Sequence, residues 1–354
     1  MPELLSVASD FFASRVTPIA NRLDGDTSLL HEVIGEMGEA GLMSLRRPME
    51  YGGPEMPEMD FRSFQEMVAQ TSGALSFLQT QHQSAVSMIS RSENARLKEK
   101  ALPRAHKPEG WMAIWFSQLR RPGPPVLRAE RVADGYVIDG HIPWITGHGF
   151  FPRCLIGAQL PNREAVFGLI PFSEQTHGES SIRCSEPMRL AAMTSAMTVT
   201  ADLTKWYVPD DDVAFIQPEG WIHANDMVNV TLQSWFALGC AKAGLALVWR
   251  AYEKRSTPFL KESHDALMQE VATCRQQTME LERPIEERLQ IRARAIDLAS
   301  RCALAGVAAS GGAANSLDHP AQRIYRESMV YCVSAQTTPI LAATLSRLVR
   351  RGVD

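Results

Sequence analysis

Two adjacent glycines near the C-terminal end of the chain are the first residues whose spacing suggests ligand chemistry. Gly311 and Gly312 follow an apolar helical stretch and precede another helical stretch that begins at Pro320. Glycine lets the backbone approach a ligand closely, and the N-terminus of a following helix offers free N–H groups to an anion. The pair could therefore lie beside an anionic ligand, and it could equally be a plain helix terminator.

Composition argues against several other classes of chemistry. The six cysteines lie far apart, without a C-x-x-C pair or Cys/His spacing suited to zinc, so we expect reduced structural thiols, no metal site and a cytoplasmic location. A net charge of -4 does not call for nucleic acid or an anionic membrane as partner. The N-terminus does not resemble a signal peptide, and no apolar run approaches the roughly 20 residues that a membrane helix needs.

Three stretches that differ in the spacing of their apolar residues must form the elements that position the candidate residues. Residues 1–107 have helical spacing, residues 108–217 have short β-type runs broken by prolines, and residues 218–354 return to helical spacing. A hairpin signal, Asp134–Gly135, lies in the middle stretch. Because 354 residues exceed what one compact core usually holds, we expect three packed domains with these bounds.

Some local features are also predicted. Thr27 is expected to cap the helix that follows it, and Gly41 is expected to end that helix. One continuous helix is expected over 228–252. A last helix is expected over 339–351, where basic residues would offset the dipole of its final turn.

Motifs spread along the chain resemble those of the acyl-CoA dehydrogenase family. Each motif is weak evidence by itself, but together they follow the family order with family-like spacing across nearly the whole chain. They lie at 50–53 (E-Y-G-G), 98–103 (K-E-K-A-L-P), 135–140 (G-Y-V-I-D-G), 144–147 (W-I-T-G), 202–209, 311–312 and 323–327 (R-I-Y-R-E). The resemblance implies an α+β fold with an N-terminal helical domain, a central β-barrel-like domain and a C-terminal four-helix bundle.

The resemblance also implies FAD bound at a subunit interface of a homodimer or homotetramer. In the family, the W-I-T residues line the flavin, the paired glycines approach the phosphates, and a hydroxyl of the last motif lies near FAD. Without the resemblance, Trp144 would be interpreted as a core aromatic residue. The positions that match the cofactor contacts are Ser117 (with a one-residue shift), Trp144, Thr146, Gly311, Gly312 and Thr337.

The catalytic carboxylate of the family is missing from both places where it normally occurs. Most members carry it in the last motif, where Ala335 stands here, and a second group carries it on the first helix after the β domain, where Asn229 stands. Neither side chain can accept a proton at neutral pH. Asp226, about one helical turn before Asn229, is the weak candidate for a relocated base, although it could simply be a carboxylate at the start of that helix. His148 could also act, but a solvated loop histidine is the simpler interpretation.

Three functions remain open from the sequence. The first is an FAD-dependent oxidoreductase that acts on the CH–CH group of an acyl-CoA thioester, with an atypical or absent base. The second is a flavin-dependent monooxygenase on the same fold, since such relatives lack the carboxylate. The third is a non-catalytic scaffold that kept the fold, which the departures at several cofactor contacts favour.

Overall fold

The computed structural model describes residues 2–349, and its N-terminal part is helical. Within the third helix, the spacing of apolar residues places Leu30, Val33 and Met37 in the core. The predicted cap is wrong by one residue, because the Asp26 carboxylate, not Thr27, accepts a hydrogen bond from the Leu29 N–H at 3.0 Å. The helices are α1 (Pro2–Phe11), α2 (Ala20–Leu23), α3 (Thr27–Glu39), α4 (Glu58–Thr71), α5 (Gly73–Ser90) and α6 (Ala95–Ala101).

The predicted end of α3 is confirmed by the backbone. Gly41 has φ +75°, a left-handed conformation that glycine adopts without strain. The Leu42 N–H then donates to the Met37 carbonyl oxygen at 3.0 Å, which closes the helix end.

The middle of the chain forms one nine-stranded sheet. Its order is β6-β7-β8-β3-β2-β4-β5-β9, with β1 paired to β4. The predicted hairpin is confirmed, since Val132 pairs with Gly135 across the turn between β2 and β3. The strands are β1 (Met112–Trp115), β2 (Leu127–Val132), β3 (Gly135–Ile145), β4 (Arg153–Gln159), β5 (Ala165–Pro171), β6 (Gln175–His177), β7 (Ser180–Cys184), β8 (Val199–Pro209) and β9 (Val213–Gln217).

The last part of the chain is a helical bundle in which α10 packs against α8, α9, α11 and α12. None of the helices within residues 2–349 is long and apolar enough to cross a membrane. Of the predicted basic C-terminal turn, Arg350 and Arg351 lie outside the described residues. The helices are α7 (Trp221–Val228), α8 (Ser234–Arg255), α9 (Pro258–Met279), α10 (Ile285–Ser310), α11 (Pro320–Val333) and α12 (Thr338–Leu348).

The prediction of one helix over 228–252 is wrong, because a turn over 229–233 separates α7 from α8. Asn229, Val230 and Thr231 are poor helix formers. The Asn229 amide also donates to the Asn225 carbonyl oxygen at 2.9 Å, and such local bonding competes with helix continuation.

Two acidic residues of the N-terminal part tie the three parts together. The Asp24 carboxylate accepts from the Met193 N–H, which precedes β8, and from Arg326 on α11, each at 2.6 Å. Glu66, on α4, pairs with Lys242 on α8 and with Arg275 on α9, each at 2.7 Å. These links position the sheet and the C-terminal bundle against the same helical platform.

A buried histidine joins the N-terminal helices to the sheet. His82 lies on α5 and is fully buried. Its Nε2 bonds to the Ala105 carbonyl oxygen at 2.7 Å, and its Nδ1 accepts from the Met112 N–H at 3.0 Å. A neutral ring with the proton on Nε2 satisfies both bonds. Burial lowers the pKa of His82 from 6.5 to about 4.

We expect His82 to weaken the fold as the pH falls from about 6.5 to about 4. In this pH window His82 binds a proton in the unfolded chain but stays neutral in the folded protein. The free energy of unfolding therefore falls, by about 3 kcal/mol in total. Urea unfolding at successive pH values measures the slope. His82→Gln should remove this pH-dependent part of the free energy of unfolding, whatever stability the substitution itself costs. His177→Gln, at an exposed position, should retain it. Equal slopes in His82→Gln and the wild type would contradict the assignment.

Candidate functional site

Strand β3 brings two of the predicted cofactor residues to its C-terminal end. Successive side chains of a strand point to opposite faces, and Trp144 is accordingly 47% exposed while Ile145 is buried. Thr146 follows as a buried hydroxyl, 3.1 Å from the hydroxyl of Thr198. The Trp144 indole is therefore not part of the buried core, and it offers a flat apolar surface close to the Thr146 hydroxyl in the sequence.

The loop after Thr146 depends on a glycine. Gly147 has φ +98°, and a Cβ at this position would come within 2.3 Å of the Phe151 ring. His148 is half-buried, and its ring meets the edge of Phe172 at 5.5 Å between centroids. Gly147 is thus needed for both conformation and space.

Ser117 begins a short 3₁₀ turn, Ser117–Arg120, and is exposed. The end of this turn is joined to α7 by an ion pair that the sequence did not suggest. The Arg120 Nε and Nη2 donate to the two carboxylate oxygens of Asp226, each at 2.8 Å. The two side chains are 23% and 11% exposed. No sequence pattern joins Arg120 to Asp226, which is 106 residues away, so only the tertiary structure could reveal the pair.

The pairing changes both interpretations of Asp226. Asp226 lies in the second half of α7, so the interpretation that it opens a helix is wrong. Both of its oxygens also accept charge-assisted bonds, which are among the stronger hydrogen bonds in proteins. The Arg120 guanidinium thus holds the Asp226 carboxylate against the turn over 117–120.

The two positions that the sequence comparison matched to the family's carboxylate, Asn229 and Ala335, lie on separate turns. Asn229 ends α7, and its amide bonds back to the side-chain oxygen of Asn225 at 2.9 Å. Ala335 is exposed in the turn after α11 and has φ +47°. A non-glycine residue in this region is uncommon and carries backbone strain.

The paired glycines lie where α10 ends. Gly311 has φ +65° and ψ -151°, a combination essentially restricted to glycine. A Cβ at Gly311 or Gly312 would meet nothing within 4 Å, so the backbone here is open to a ligand. Thr337 instead has a local role, because its hydroxyl accepts from the Ile340 N–H at the start of α12.

Two cavities within residues 2–349 are lined by residues other than the predicted cofactor contacts. One cavity of about 450 Å³ is lined by residues of α9, α10 and α12 and of the connection between α9 and α10, among them Arg283, Arg294 and Arg347. A second, of about 380 Å³, lies between Lys242, Trp249 and neighbouring side chains. Within residues 2–349 there is also no cluster of three or more side chains that could hold a metal ion.

Comparison with known proteins places this geometry in a protein class. Residues 2–109 match the model of the acyl-CoA dehydrogenase N-terminal domain. Isovaleryl-CoA dehydrogenase of Bos taurus is 27% identical over 150 residues, which cover 41% of this chain and 35% of the relative. The match thus spans about a third of that relative's length.

Solved structures extend the similarity to the whole chain. A glutaryl-CoA dehydrogenase in complex with glutaryl-CoA superposes with a TM-score of 0.82 at 18% identity, covering 98% of this chain and 94% of the other. Butyryl-CoA dehydrogenase of Megasphaera elsdenii superposes with a TM-score of 0.75 at 18% identity, covering 99% and 98%. The resemblance indicated by the motifs is confirmed at the level of the fold: residues 2–109 match the acyl-CoA dehydrogenase N-terminal domain, and the whole chain has the fold of these acyl-CoA dehydrogenases.

Proposed function

We propose that this chain is an FAD-dependent oxidoreductase that acts on the CH–CH group of an acyl-CoA thioester, without a carboxylate at either usual position. The half-exposed Trp144 beside buried Thr146 carries the proposal, because the fold keeps an aromatic surface where its motif predicts a flavin. Bound FAD would supply the hydride acceptor.

The residues present fit FAD at its two ends. The Trp144 indole is free to cover a ring, and Gly311 and Gly312 leave the backbone open for a phosphate. Ser117 and Thr337 are partly or fully exposed and can add hydroxyl contacts. We therefore assign cofactor binding to Ser117, Trp144, Thr146, Gly311, Gly312 and Thr337.

Proton removal is the step for which the chain offers the weakest candidate residue. Ala335 and Asn229 have no basic group, and the Asp226 carboxylate is held by Arg120. We therefore expect slow turnover of ordinary acyl-CoA thioesters, and we keep Asp226 as the weak candidate for a base.

Trp144→Ala is expected to weaken FAD binding by about three- to tenfold, because it removes a ring-stacking surface. The purified wild type should show flavin absorbance that bleaches when an acyl-CoA thioester is added without oxygen. Titration of the apoprotein with FAD measures the dissociation constant. Trp249→Ala, on α8 and away from β3, is the control and should bind FAD normally. Equal affinities in the wild type and Trp144→Ala would contradict the assignment of the indole.

The same absorbance spectrum distinguishes the proposed oxidoreductase from two alternatives, a flavin-dependent monooxygenase and a non-catalytic scaffold. The missing carboxylates also favour these alternatives. A flavin-dependent monooxygenase would hold FAD, fail to bleach with thioesters, and consume oxygen when a flavin reductase is present. A scaffold would retain no flavin absorbance after FAD is added and the unbound cofactor is removed by gel filtration.

We also propose a homodimer or homotetramer. An apolar stripe on α11, formed by Tyr325, Met329 and Val333, is exposed, and Val333 is 63% exposed. Their spacing puts these residues on one helical face. Light scattering should show that Val333→Asp lowers the assembly mass, whereas Leu317→Asp, at an exposed position outside the stripe, does not. An unchanged mass in Val333→Asp would exclude this face as the interface.

The cytoplasmic location expected from the sequence stays a proposal. The six cysteines are free, which is consistent with a reducing compartment. Subcellular fractionation of the source cells tests it, and recovery from an oxidising compartment would contradict it.

A further inference from the structure

A turn with an uncommon backbone conformation lies between β7 and β8, next to the end of β3. The turn over 193–197 contains two non-glycine residues in the left-handed region, Met193 with φ +58° and Met197 with φ +51°. Side chains rarely adopt this conformation, and it persists only where the surrounding structure holds it in place. The position of this turn must therefore be fixed by other residues.

The residues at the end of α2 hold one side of the turn. The Asp24 carboxylate accepts from the Met193 N–H at 2.6 Å. The Asp24 carbonyl oxygen accepts from the Thr194 hydroxyl at 3.0 Å and from the Ser195 N–H at 3.1 Å. The Leu23 carbonyl oxygen accepts from the Ser195 hydroxyl. Asp24 is 6% exposed, so water has little access to replace these bonds.

The other side of the turn holds the loop that follows β3. The Gly147 N–H donates to the Ala196 carbonyl oxygen at 2.9 Å. The His148 N–H donates to the Met197 carbonyl oxygen at 3.1 Å. The backbone that follows Trp144 is thus hydrogen-bonded to the turn whose opposite side Asp24 holds.

A cation on α11 fixes the Asp24 carboxylate itself. The Arg326 Nη1 donates to the second carboxylate oxygen of Asp24 and to the Ala191 carbonyl oxygen, each at 2.6 Å. Hydrogen bonds between charged groups are stronger than those between neutral ones. Because one oxygen binds α11 and the other binds the turn, the carboxylate fixes the turn relative to the helical bundle.

We propose that Asp24 is a positioning residue for the cofactor-facing end of β3. Through the turn over 193–197 it holds the loop over 146–148, and with this loop the side chains of Trp144 and Thr146. The carboxylate acts through the turn rather than on the cofactor. The part of this inference that concerns FAD rests on the proposed function, whereas the part that concerns the loop does not.

Hydrogen exchange of the purified protein, followed by mass spectrometry, tests the effect on the loop. Asp24→Ala should make the amides over 146–150 exchange about 10–100-fold faster, because the loss of a bond to a charged acceptor lets the turn open locally. Glu66→Ala is the matched control, since it also removes a buried carboxylate with cationic partners but one that joins α4 to α8 and α9. It should leave the exchange over 146–150 at the wild-type rate.

Two results would overturn the proposal: equal exchange over 146–150 in the wild type and Asp24→Ala, or an equal rise in Asp24→Ala and Glu66→Ala. If Asp24→Ala does not fold, Asp24→Asn replaces it under the same two criteria, because the amide keeps the size of the side chain and lacks the charge that Arg326 binds. None of these measurements needs FAD.

The affinity for FAD is a second readout, which a merely structural link would not change. At a temperature where each variant is folded, Asp24→Ala should raise the dissociation constant of FAD about three- to tenfold, as expected for Trp144→Ala. Glu66→Ala should bind FAD as the wild type does. An unchanged constant in Asp24→Ala would overturn the role in cofactor positioning. A wild type that binds no FAD would contradict the proposed function instead, and hydrogen exchange alone would then decide the role of Asp24.

Discussion

Ala335→Glu is expected to raise the rate at which an acyl-CoA thioester reduces the flavin by about 10²–10⁴-fold in FAD-loaded protein. The position lies in the turn after α11, where most of the family carries its base, and the side chain is exposed rather than enclosed. A carboxylate there can take the acidic proton next to the thioester carbonyl. Anaerobic stopped-flow bleaching with butyryl-CoA or isovaleryl-CoA measures the rate.

The change should be tolerated by the backbone. Ala335 already holds φ +47°, so glutamate inherits strain that the fold carries now rather than adding a new distortion. The Arg292 guanidinium, which donates to the carbonyl oxygen of the preceding residue Ser334, favours a carboxylate electrostatically.

Ala335→Gln is the matched control, because it has nearly the same size and no basic oxygen, and it should leave the rate near the wild-type value. Asn229→Glu tests the other family position in the same way. Comparable rates in Ala335→Glu and Ala335→Gln would show that the missing carboxylate is not what limits the reaction.

Glu327→Ala is expected to lower the free energy of unfolding by about 3–5 kcal/mol, because it leaves a buried guanidinium without its counter-charge. Glu327 is 0% exposed, and its two oxygens accept from Arg323 at 2.9 and 3.0 Å. It also accepts from the Gly73 N–H at 2.9 Å, at the start of α5. Burial raises the pKa of Glu327, while Arg323 and the Gly73 N–H oppose that rise.

Urea unfolding with a constant slope measures this loss. Replacing both partners, Arg323→Met with Glu327→Leu, should recover much of the stability, because no unpaired charge remains. Glu270→Ala breaks a bidentate pair with the more exposed Arg301 and should cost only about 0–1 kcal/mol. A loss in Glu327→Ala no larger than in Glu270→Ala would show that the buried pair contributes little.

The fold could be predicted because its signals are local or ordered along the chain. Apolar spacing located α3, Asp134–Gly135 located the β2–β3 turn, and Gly41 located a helix end. Errors arose where two local signals compete. Asp26 and Thr27 are adjacent cap formers, and backbone geometry selects Asp26.

The candidate site was predicted less completely, because charges meet there across long separations in sequence. The motifs alone indicate that Ala335 and Asn229 stand where the family carries a carboxylate. They do not indicate that Asp226 forms an ion pair with Arg120, which is 106 residues away in the sequence. Nor does any pattern near Arg292 indicate that its buried guanidinium would lie against the end of α11 with only neutral carbonyl oxygens as hydrogen-bond partners.

The sequence by itself thus determined the family fold and the order of its parts, and it predicted the loss of the usual base, since periodicity, turn residues and motif identity are properties of short segments. Only the tertiary structure decided what the remaining charged groups can do. Electrostatic pairing and burial depend on distances of a few ångströms between segments far apart in the chain, and these distances exist only once α7, α10 and α11 have packed.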